Sequence, residues 1–214
     1  MTEGFHHISG FLLTEEISAL IDAARAICQV APLLRPRMVI GGKIIDFKLT
    51  LTNAGPYGWW SDERGFRYIE RHPITDMPFP PIPTFILEIG RRALERCELP
   101  PMMIENCLIN HYAEGESLGQ HQDKTEEDRD APILSLSVGA DALFLLGGMD
   151  RKDKAKEYLL RSGDLAIQSG HSRRVFHGIK KIYPTIGNPL RDGGRLNFTL
   201  RKVTKPRIYQ KDTQ

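Results

Sequence analysis

The second half of the chain is dominated by short β-type segments. From Glu105 onward, apolar and β-branched runs alternate with glycine-containing turns, which is typical of a β-sandwich or barrel. The runs cover residues 133–138, 142–146, 158–160, 165–167, 175–179 and 196–200. We therefore predict a mainly β fold in which these strands form the core.

Helices are predicted to flank this sheet. With Thr14 as the N-cap, apolar residues recur at helical spacing from Ile17 to Cys28, and a second helix is expected at residues 84–96. Residues 38–53 are rich in apolar and β-branched side chains and predict two strands that turn at Gly41-Gly42. The proline-rich stretch 75–83 predicts a stiff connection without regular structure.

The segment 195–201 alternates polar and apolar residues without error. Leu196, Phe198 and Leu200 share one face of the predicted strand, and the other face carries Arg195, Asn197, Thr199 and Arg201. The segment spans roughly 20 Å when extended, so two arginines leaning inward could clasp a small dicarboxylate such as 2-oxoglutarate. Arginine suits this role because its planar fork binds a carboxylate through two hydrogen bonds. A solvated strand face remains the alternative.

A candidate metal site is formed by His121, Asp123 and the distant His177. Two imidazoles and one carboxylate on one face of an ion make the facial triad that suits non-haem Fe(II) oxygenases. On a strand, His121 and Asp123 would point to the same side and Gln122 away from it. Taken singly, the His-x-Asp pair is also compatible with a surface turn and His177 with a hydrogen-bonded core histidine.

Charge is distributed unevenly along the 214 residues. The formal net charge is +2, but residues 151–214 hold 16 Lys and Arg against 5 Asp and Glu, which leaves 13 against 22 in residues 1–150. A local basic surface is what phosphate contacts require. The densest part, residues 151–156, predicts a loop, for which a purely solvated role is the alternative.

Several features predict a cytoplasmic monomer of one domain. The chain has no apolar run of membrane-spanning length and no recognisable signal peptide at its start. Its three cysteines, Cys28, Cys97 and Cys107, lack the spacing of a disulfide framework or a zinc site. Residues 204–214 form a polar tail that we expect to be loose.

Four segments together resemble the AlkB family of Fe(II)/2-oxoglutarate-dependent dioxygenases, in its bacterial alkylation-repair form. They are Asn110-His111-Tyr112-Ala113-Glu114-Gly115, His121-Gln122-Asp123, 172–179 and 195–201. Upstream, residues 38–42 and 52–59 resemble that family's nucleotide-recognition lid. The resemblance implies a double-stranded β-helix, or jelly roll, at residues 105–203, preceded at 1–104 by helices and the lid.

The resemblance also implies the iron and co-substrate residues. His121, Asp123 and His177 would bind Fe(II), and Arg195 would pair with the distal carboxylate of 2-oxoglutarate. Asn110, Tyr112 and Asn197 would complete that pocket, and Arg201 would support the metal-proximal end of the co-substrate. O₂ would then convert 2-oxoglutarate to succinate and CO₂ while an N-methyl group on a damaged base is hydroxylated and lost as formaldehyde.

Six residues are predicted to contact the base or its strand: Trp59, Phe66, Tyr68, Thr125, Arg151 and Gln168. An aromatic face can replace the stacking that a flipped base loses, whereas Trp60 fits a core position. The best-studied relatives commonly have an acid at the position of Thr125 and an aromatic residue at that of Gln168, so the lesion and the choice between single-stranded DNA and RNA stay open. Alternatives are an oxygenase acting on a protein or small metabolite, and a non-catalytic jelly roll that binds sugar or nucleic acid.

Overall fold

A computed structural model describes residues 3–205. The predicted tail therefore lies, from residue 206 onward, outside the described residues. Within residues 3–205, no helix is long and apolar enough to cross a membrane.

The described elements are mostly strands. Two α-helices, α1 (Thr14–Val30) and α2 (Thr84–Arg96), are accompanied by one 3₁₀ helix at Gly170–Arg174. The strands are β1 (Phe5–Ile8), β2 (Arg37–Ile40), β3 (Lys43–Asp46), β4 (Thr50–Ala54), β5 (Gly58–Asp62), β6 (Gly65–Ile69), β7 (Asn106–Tyr112), β8 (Leu118–His121), β9 (Ile133–Gly139), β10 (Ala142–Leu146), β11 (Lys156–Leu160), β12 (Leu165–Gln168), β13 (His177–Ile182) and β14 (Arg195–Arg201).

Two antiparallel sheets form the jelly roll. The major sheet has the strand order β1-β12-β9-β14-β7-β4, and the minor sheet has the order β11-β10-β13-β8. Two hairpins, β2-β3 and β5-β6, stand apart from both sheets. The predicted fold class is confirmed. Strands β1 and β4, from the first 104 residues, belong to the major sheet, and the division at residue 104 stays a prediction.

Strand β14 explains how the core and the candidate site are built together. Leu196, Phe198 and Leu200 join a cluster with buried residues of both helices, such as Leu20 and Ile86. A second cluster unites residues of the two sheets, including Tyr112, Phe144, Leu146 and Ile179. Because side chains alternate along a strand, the polar residues of β14 are held between the sheets.

Three local predictions differ from the structure. Thr14 is the first helical residue and not the N-cap, because the Glu16 carboxylate accepts the hydrogen bond from the Leu13 backbone N–H at 2.9 Å. Residues 38–53 contain the β2-β3 hairpin, with positive φ at Gly41 and Gly42, and then most of a third strand, β4, that joins the major sheet. The strand predicted at 175–179 begins only at His177, because the 3₁₀ helix directly precedes Val175.

We expect Phe198→Ala to lower the free energy of unfolding by about 3–5 kcal/mol, because it empties a fully buried site beneath the helices. Urea denaturation provides the measurement. Ile186→Ala is the matched control, since Ile186 is fully exposed, and its effect should stay within about 0.5 kcal/mol. Equal effects of the two substitutions would contradict this assignment of the core.

Candidate active site

The three predicted metal ligands converge on one point. His121 ends β8, Asp123 follows two residues later, and His177 begins β13 directly opposite His121 in the antiparallel pair. The Asp123 carboxylate lies 3.7 Å from His121 Nε2 and 3.8 Å from His177 Nε2. One ligand atom from each residue lies within 4.8 Å of the others, so the three side chains can coordinate a single ion.

Hydrogen bonds orient both imidazoles for coordination through Nε2. His121 Nδ1 lies 2.9 Å from the carbonyl oxygen of Gly119, which can only accept, so Nδ1 carries the proton and Nε2 keeps its lone pair. His177 Nδ1 lies 3.3 Å from the carbonyl oxygen of Val175. Burial, with the neighbouring His121 as a second cause, lowers the pKa of His177 to about 4. His177 is therefore neutral at physiological pH, as a metal ligand must be.

The third ligand, Asp123, is fixed by a buried arginine. Burial alone would raise the pKa of Asp123, but Arg201 and, to a smaller extent, His177, His121 and Arg173 together outweigh it and hold that pKa well below its usual range. Arg201 Nη2 donates to Asp123 Oδ2 at 2.9 Å. Gln122 turns away and donates to the Arg174 carbonyl. The Asp123 carboxylate is therefore ionised and oriented by Arg201.

Arg195 has hydrogen-bonding capacity that nothing in residues 3–205 satisfies. Its side chain is 1% exposed, and Nη2 donates to Ser137 Oγ at 2.9 Å, but Nε and Nη1 are buried without a partner. Burial lowers the pKa of Arg195 to about 10, so it is still charged at neutral pH. A buried, unpaired guanidinium is unfavourable unless a ligand completes it, and a carboxylate has the matching geometry.

The cavity beside Arg195 contains the whole predicted co-substrate set. It is lined by the three metal ligands together with Asn110, Tyr112, Arg195, Asn197, Thr199 and Arg201. Arg201 differs from Arg195 because its two Nη groups donate to Asp123 and, at 3.4 Å, to the Tyr68 hydroxyl, while its Nε lies 3.6 Å from Glu126 without a hydrogen bond. A clasp made by two arginines would need Arg201 to be free of Asp123. Arg195 is therefore the arginine of this cavity that is open to a carboxylate. A role of Arg201 toward the co-substrate stays a prediction.

Four of the six residues predicted to contact the base lie together at the β5-β6 hairpin. Trp59 stacks on Phe66 with ring centroids 5.7 Å apart, and its indole Nε1 donates to Thr125 Oγ1 at 3.1 Å. The Tyr68 hydroxyl donates to Glu126 Oε1 at 2.6 Å. The pair Trp59 and Phe66 forms an aromatic platform that reaches Thr125, two residues after Asp123, and Phe66 is 54% exposed. None of these four residues lines the cavity that contains the metal ligands.

The other two lie elsewhere. The side-chain amide of Gln168 is buried and 3.3 Å from His177 Nδ1, directly beside a metal ligand. The Arg151 guanidinium lies over the Phe176 ring, 4.9 Å from its centroid, on the exposed loop after β10. The structure therefore brings Gln168, but not Arg151, into the cavity.

Sequence reasoning missed a buried ion pair beneath the metal ligands. Arg173 Nη2 lies 2.9 Å from Glu126 Oε2, with side chains 2% and 1% exposed. Arg173 Nη1 also donates to the Asp123 carbonyl at 2.8 Å. The pair joins the segment after Asp123 to the 3₁₀ helix before His177. No sequence signal marked it, because Glu126 lies in an acidic run and Arg173 in an Arg-Arg pair that both resemble solvated surface.

Comparison with known proteins agrees with this geometry. Residues 4–201 match the 2OG-Fe(II) oxygenase superfamily. The chain is 38% identical over 200 residues to the alpha-ketoglutarate-dependent dioxygenase AlkB homolog of Caulobacter vibrioides, which covers 94% of this chain and 88% of that protein. The chain belongs to the AlkB family. It is accordingly an Fe(II)/2-oxoglutarate-dependent dioxygenase that uses O₂, as the sequence predicts.

More distant members of the AlkB family are also similar. The structure of OsALKBH1 superposes with a TM-score of 0.81 at 28% identity, covering 94% of this chain and 99% of that one. The tRNA demethylase abh1 of Schizosaccharomyces pombe is 38% identical over 114 residues, 48% of this chain and 38% of its own. The DNA N(6)-methyladenine demethylase ALKBH1D of Arabidopsis thaliana is 40% identical over 125 residues, 53% of this chain and 28% of its own.

We expect His121→Ala and Asp123→Ala both to abolish Fe(II) binding, but to differ in stability. His121 is 37% exposed in its side chain, so its loss should cost less than about 1 kcal/mol. Removing Asp123 leaves Arg201 with only its weaker partners and should cost about 3 kcal/mol. Anaerobic calorimetry with Fe(II) and urea denaturation measure the two effects. His171→Ala, at an exposed position, is the control, and normal metal binding by either variant would contradict the ligand assignment.

Proposed function

We propose that this dioxygenase demethylates N-alkylated bases in nucleic acid by oxidation, which directly reverses alkylation damage. The observation that carries the proposal is the stacked Trp59 and Phe66 pair, which is bound through Trp59 to Thr125, two residues after the metal ligand Asp123. A base that has left its stack needs an aromatic face in a pocket next to the reacting atoms. A small metabolite or a protein side chain has no comparable need for this platform.

The chemistry divides between the bound iron and the protein. Fe(II) and O₂ supply the oxidation, in which one oxygen atom enters succinate as CO₂ leaves 2-oxoglutarate and the other converts N–CH₃ to N–CH₂OH. The hydroxymethyl group then breaks down to formaldehyde and N–H without a nucleophilic residue. His121, Asp123 and His177 would hold the iron, and Trp59 would stack on the base.

The co-substrate is held by residues of the same cavity. The guanidinium of Arg195, whose Nε and Nη1 have no partner in residues 3–205, receives the distal carboxylate of 2-oxoglutarate. Asn110, Tyr112 and Asn197 line the path between this fork and the metal ligands. Charge-assisted pairing with Arg195 inside the buried cavity would direct the other end of the co-substrate toward His121, Asp123 and His177.

The wider surface favours nucleic acid as the polymer. Arg151, Lys152, Lys154 and Lys156 are exposed, which suits phosphate contacts, and two relatives carry the names tRNA demethylase and DNA demethylase. We propose single-stranded DNA or RNA as the substrate, because an unpaired base reaches the pocket without the cost of opening a duplex. Monomeric state and cytoplasmic location stay predictions from sequence.

Methylated single-stranded DNA and RNA oligonucleotides test this proposal. Incubated with protein, Fe(II), ascorbate and 2-oxoglutarate, they should yield unmethylated base, formaldehyde and succinate in equal amounts, as measured by mass spectrometry. Trp59→Ala should reduce oligonucleotide demethylation roughly tenfold to hundredfold, as expected for one lost stack of about 1–3 kcal/mol. Uncoupled succinate formation should fall much less.

Trp60→Ala is the control for that experiment, because Trp60 is the next residue of β5 and its indole is bound to Asp62 instead of Thr125. It should leave demethylation within a few-fold of wild type. A wild-type protein that oxidises none of the oligonucleotides would contradict the proposed function. A parallel fall of both activities and of Tm in Trp59→Ala would make Trp59 a core residue.

A further inference from the structure

The β5-β6 hairpin is tied to the metal-ligand segment by one cross-strand pair. Trp59 and Tyr68 lie directly opposite each other in the hairpin. Trp59 donates to Thr125, and Tyr68 donates to the adjacent Glu126. Two neighbouring side chains of the hairpin thus bind two consecutive residues that follow the metal ligand Asp123.

The Tyr68 hydroxyl is part of a buried network that ends at Asp123. It donates to Glu126 Oε1 at 2.6 Å and accepts from Arg201 Nη1 at 3.4 Å. Arg201 Nη2 in turn donates to Asp123 Oδ2 at 2.9 Å. The hairpin is therefore separated from a metal-ligand oxygen by a single guanidinium.

Glu126 closes the network on its other side. Its second oxygen accepts from Arg173 Nη2, and Arg173 Nη1 donates to the Asp123 carbonyl. Both ends of Asp123, side chain and backbone, are thereby held by arginines that also contact Glu126. Burial is the main cause that raises the pKa of Tyr68, so its hydroxyl keeps the proton that it donates.

Displacement of the hairpin would break this network at Tyr68. Glu126 would lose its hydroxyl donor and Arg201 would lose its hydroxyl acceptor, both inside the protein. Unsatisfied buried partners are unfavourable, so Arg201 and Glu126 would rearrange toward each other and away from Asp123. The orientation of the Asp123 carboxylate thus depends on whether Tyr68 of the hairpin keeps its hydrogen bonds with Glu126 and Arg201.

We propose that Tyr68 and Glu126 are positioning residues that couple occupancy of the hairpin by nucleic acid to metal binding at Asp123. The inference rests on the proposed function, because it takes a methylated strand as the ligand of the hairpin. A nucleic-acid strand that keeps the β5-β6 hairpin in this position increases the affinity for the metal. The metal in turn increases the affinity for the nucleic acid by the same factor. Tyr68 therefore acts through the network, and its hydroxyl is committed to Glu126 instead of to the base.

The test is the affinity of Mn(II), used as a redox-inert substitute for Fe(II), with and without a saturating methylated oligonucleotide. Calorimetry on the full chain with 2-oxoglutarate present gives the ratio of the two affinities. Wild type should bind Mn(II) roughly five- to tenfold more tightly with the oligonucleotide, within the usual range of such couplings. Tyr68→Phe keeps the ring and removes the hydroxyl, and its ratio should fall to about 1.

Tyr158→Phe is the matched control, because Tyr158 lies on β11 and packs against Phe5, away from the hairpin; it should keep the wild-type ratio. A wild-type ratio in Tyr68→Phe would overturn the inference. So would a loss of Mn(II) affinity that is equal with and without oligonucleotide, since that indicates a purely structural role. If the wild-type protein demethylates the oligonucleotide but its Mn(II) affinity is the same with and without it, only this inference is contradicted. If the wild-type protein demethylates no oligonucleotide, the proposed function is contradicted.

Discussion

The ion pair between Asp123 and Arg201 is the interaction on which the site depends. A buried carboxylate is favourable only when it is paired. Arg201 supplies the pair at Asp123 Oδ2, the oxygen that also faces His177, and leaves Oδ1 to face His121. Arg201 comes from β14 and the imidazoles from β8 and β13. Contacts between the two sheets of the jelly roll therefore hold the three metal ligands together.

One strand serves two purposes in this fold. The odd-numbered residues of β14 from Arg195 to Arg201 face the cavity, and the even-numbered residues anchor the helices. A shift of β14 by one residue would place both arginines in the apolar core. Its register against β7 and β9 is consequently fixed by the hydrophobic effect, and the position of the co-substrate fork follows from core packing.

The periodicities and residue types of the sequence predicted a large part of the fold and of the candidate site. Strand β14 and helix α2 were predictable because their periodicities are regular, and the triad because its residue types have few other uses together. The network of Tyr68, Glu126 and Arg173 was not predictable, because it joins residues 47 to 58 positions apart whose types alone resemble surface. The start of β13 was misplaced for a related reason: the 3₁₀ helix before it is set by tertiary contacts and not by propensity.

The most direct test of this account is the anaerobic affinity of the Fe(II)-loaded protein for 2-oxoglutarate. Arg195→Met should weaken it roughly tenfold to hundredfold, as the loss of a charge-assisted contact of about 1.5–3 kcal/mol predicts, while Fe(II) affinity stays unchanged. Arg191→Met, at an exposed arginine before the same strand, should have no effect. An unchanged affinity for 2-oxoglutarate in Arg195→Met would contradict the account, because the two unpaired donors of Arg195 would then not be the site of the co-substrate carboxylate.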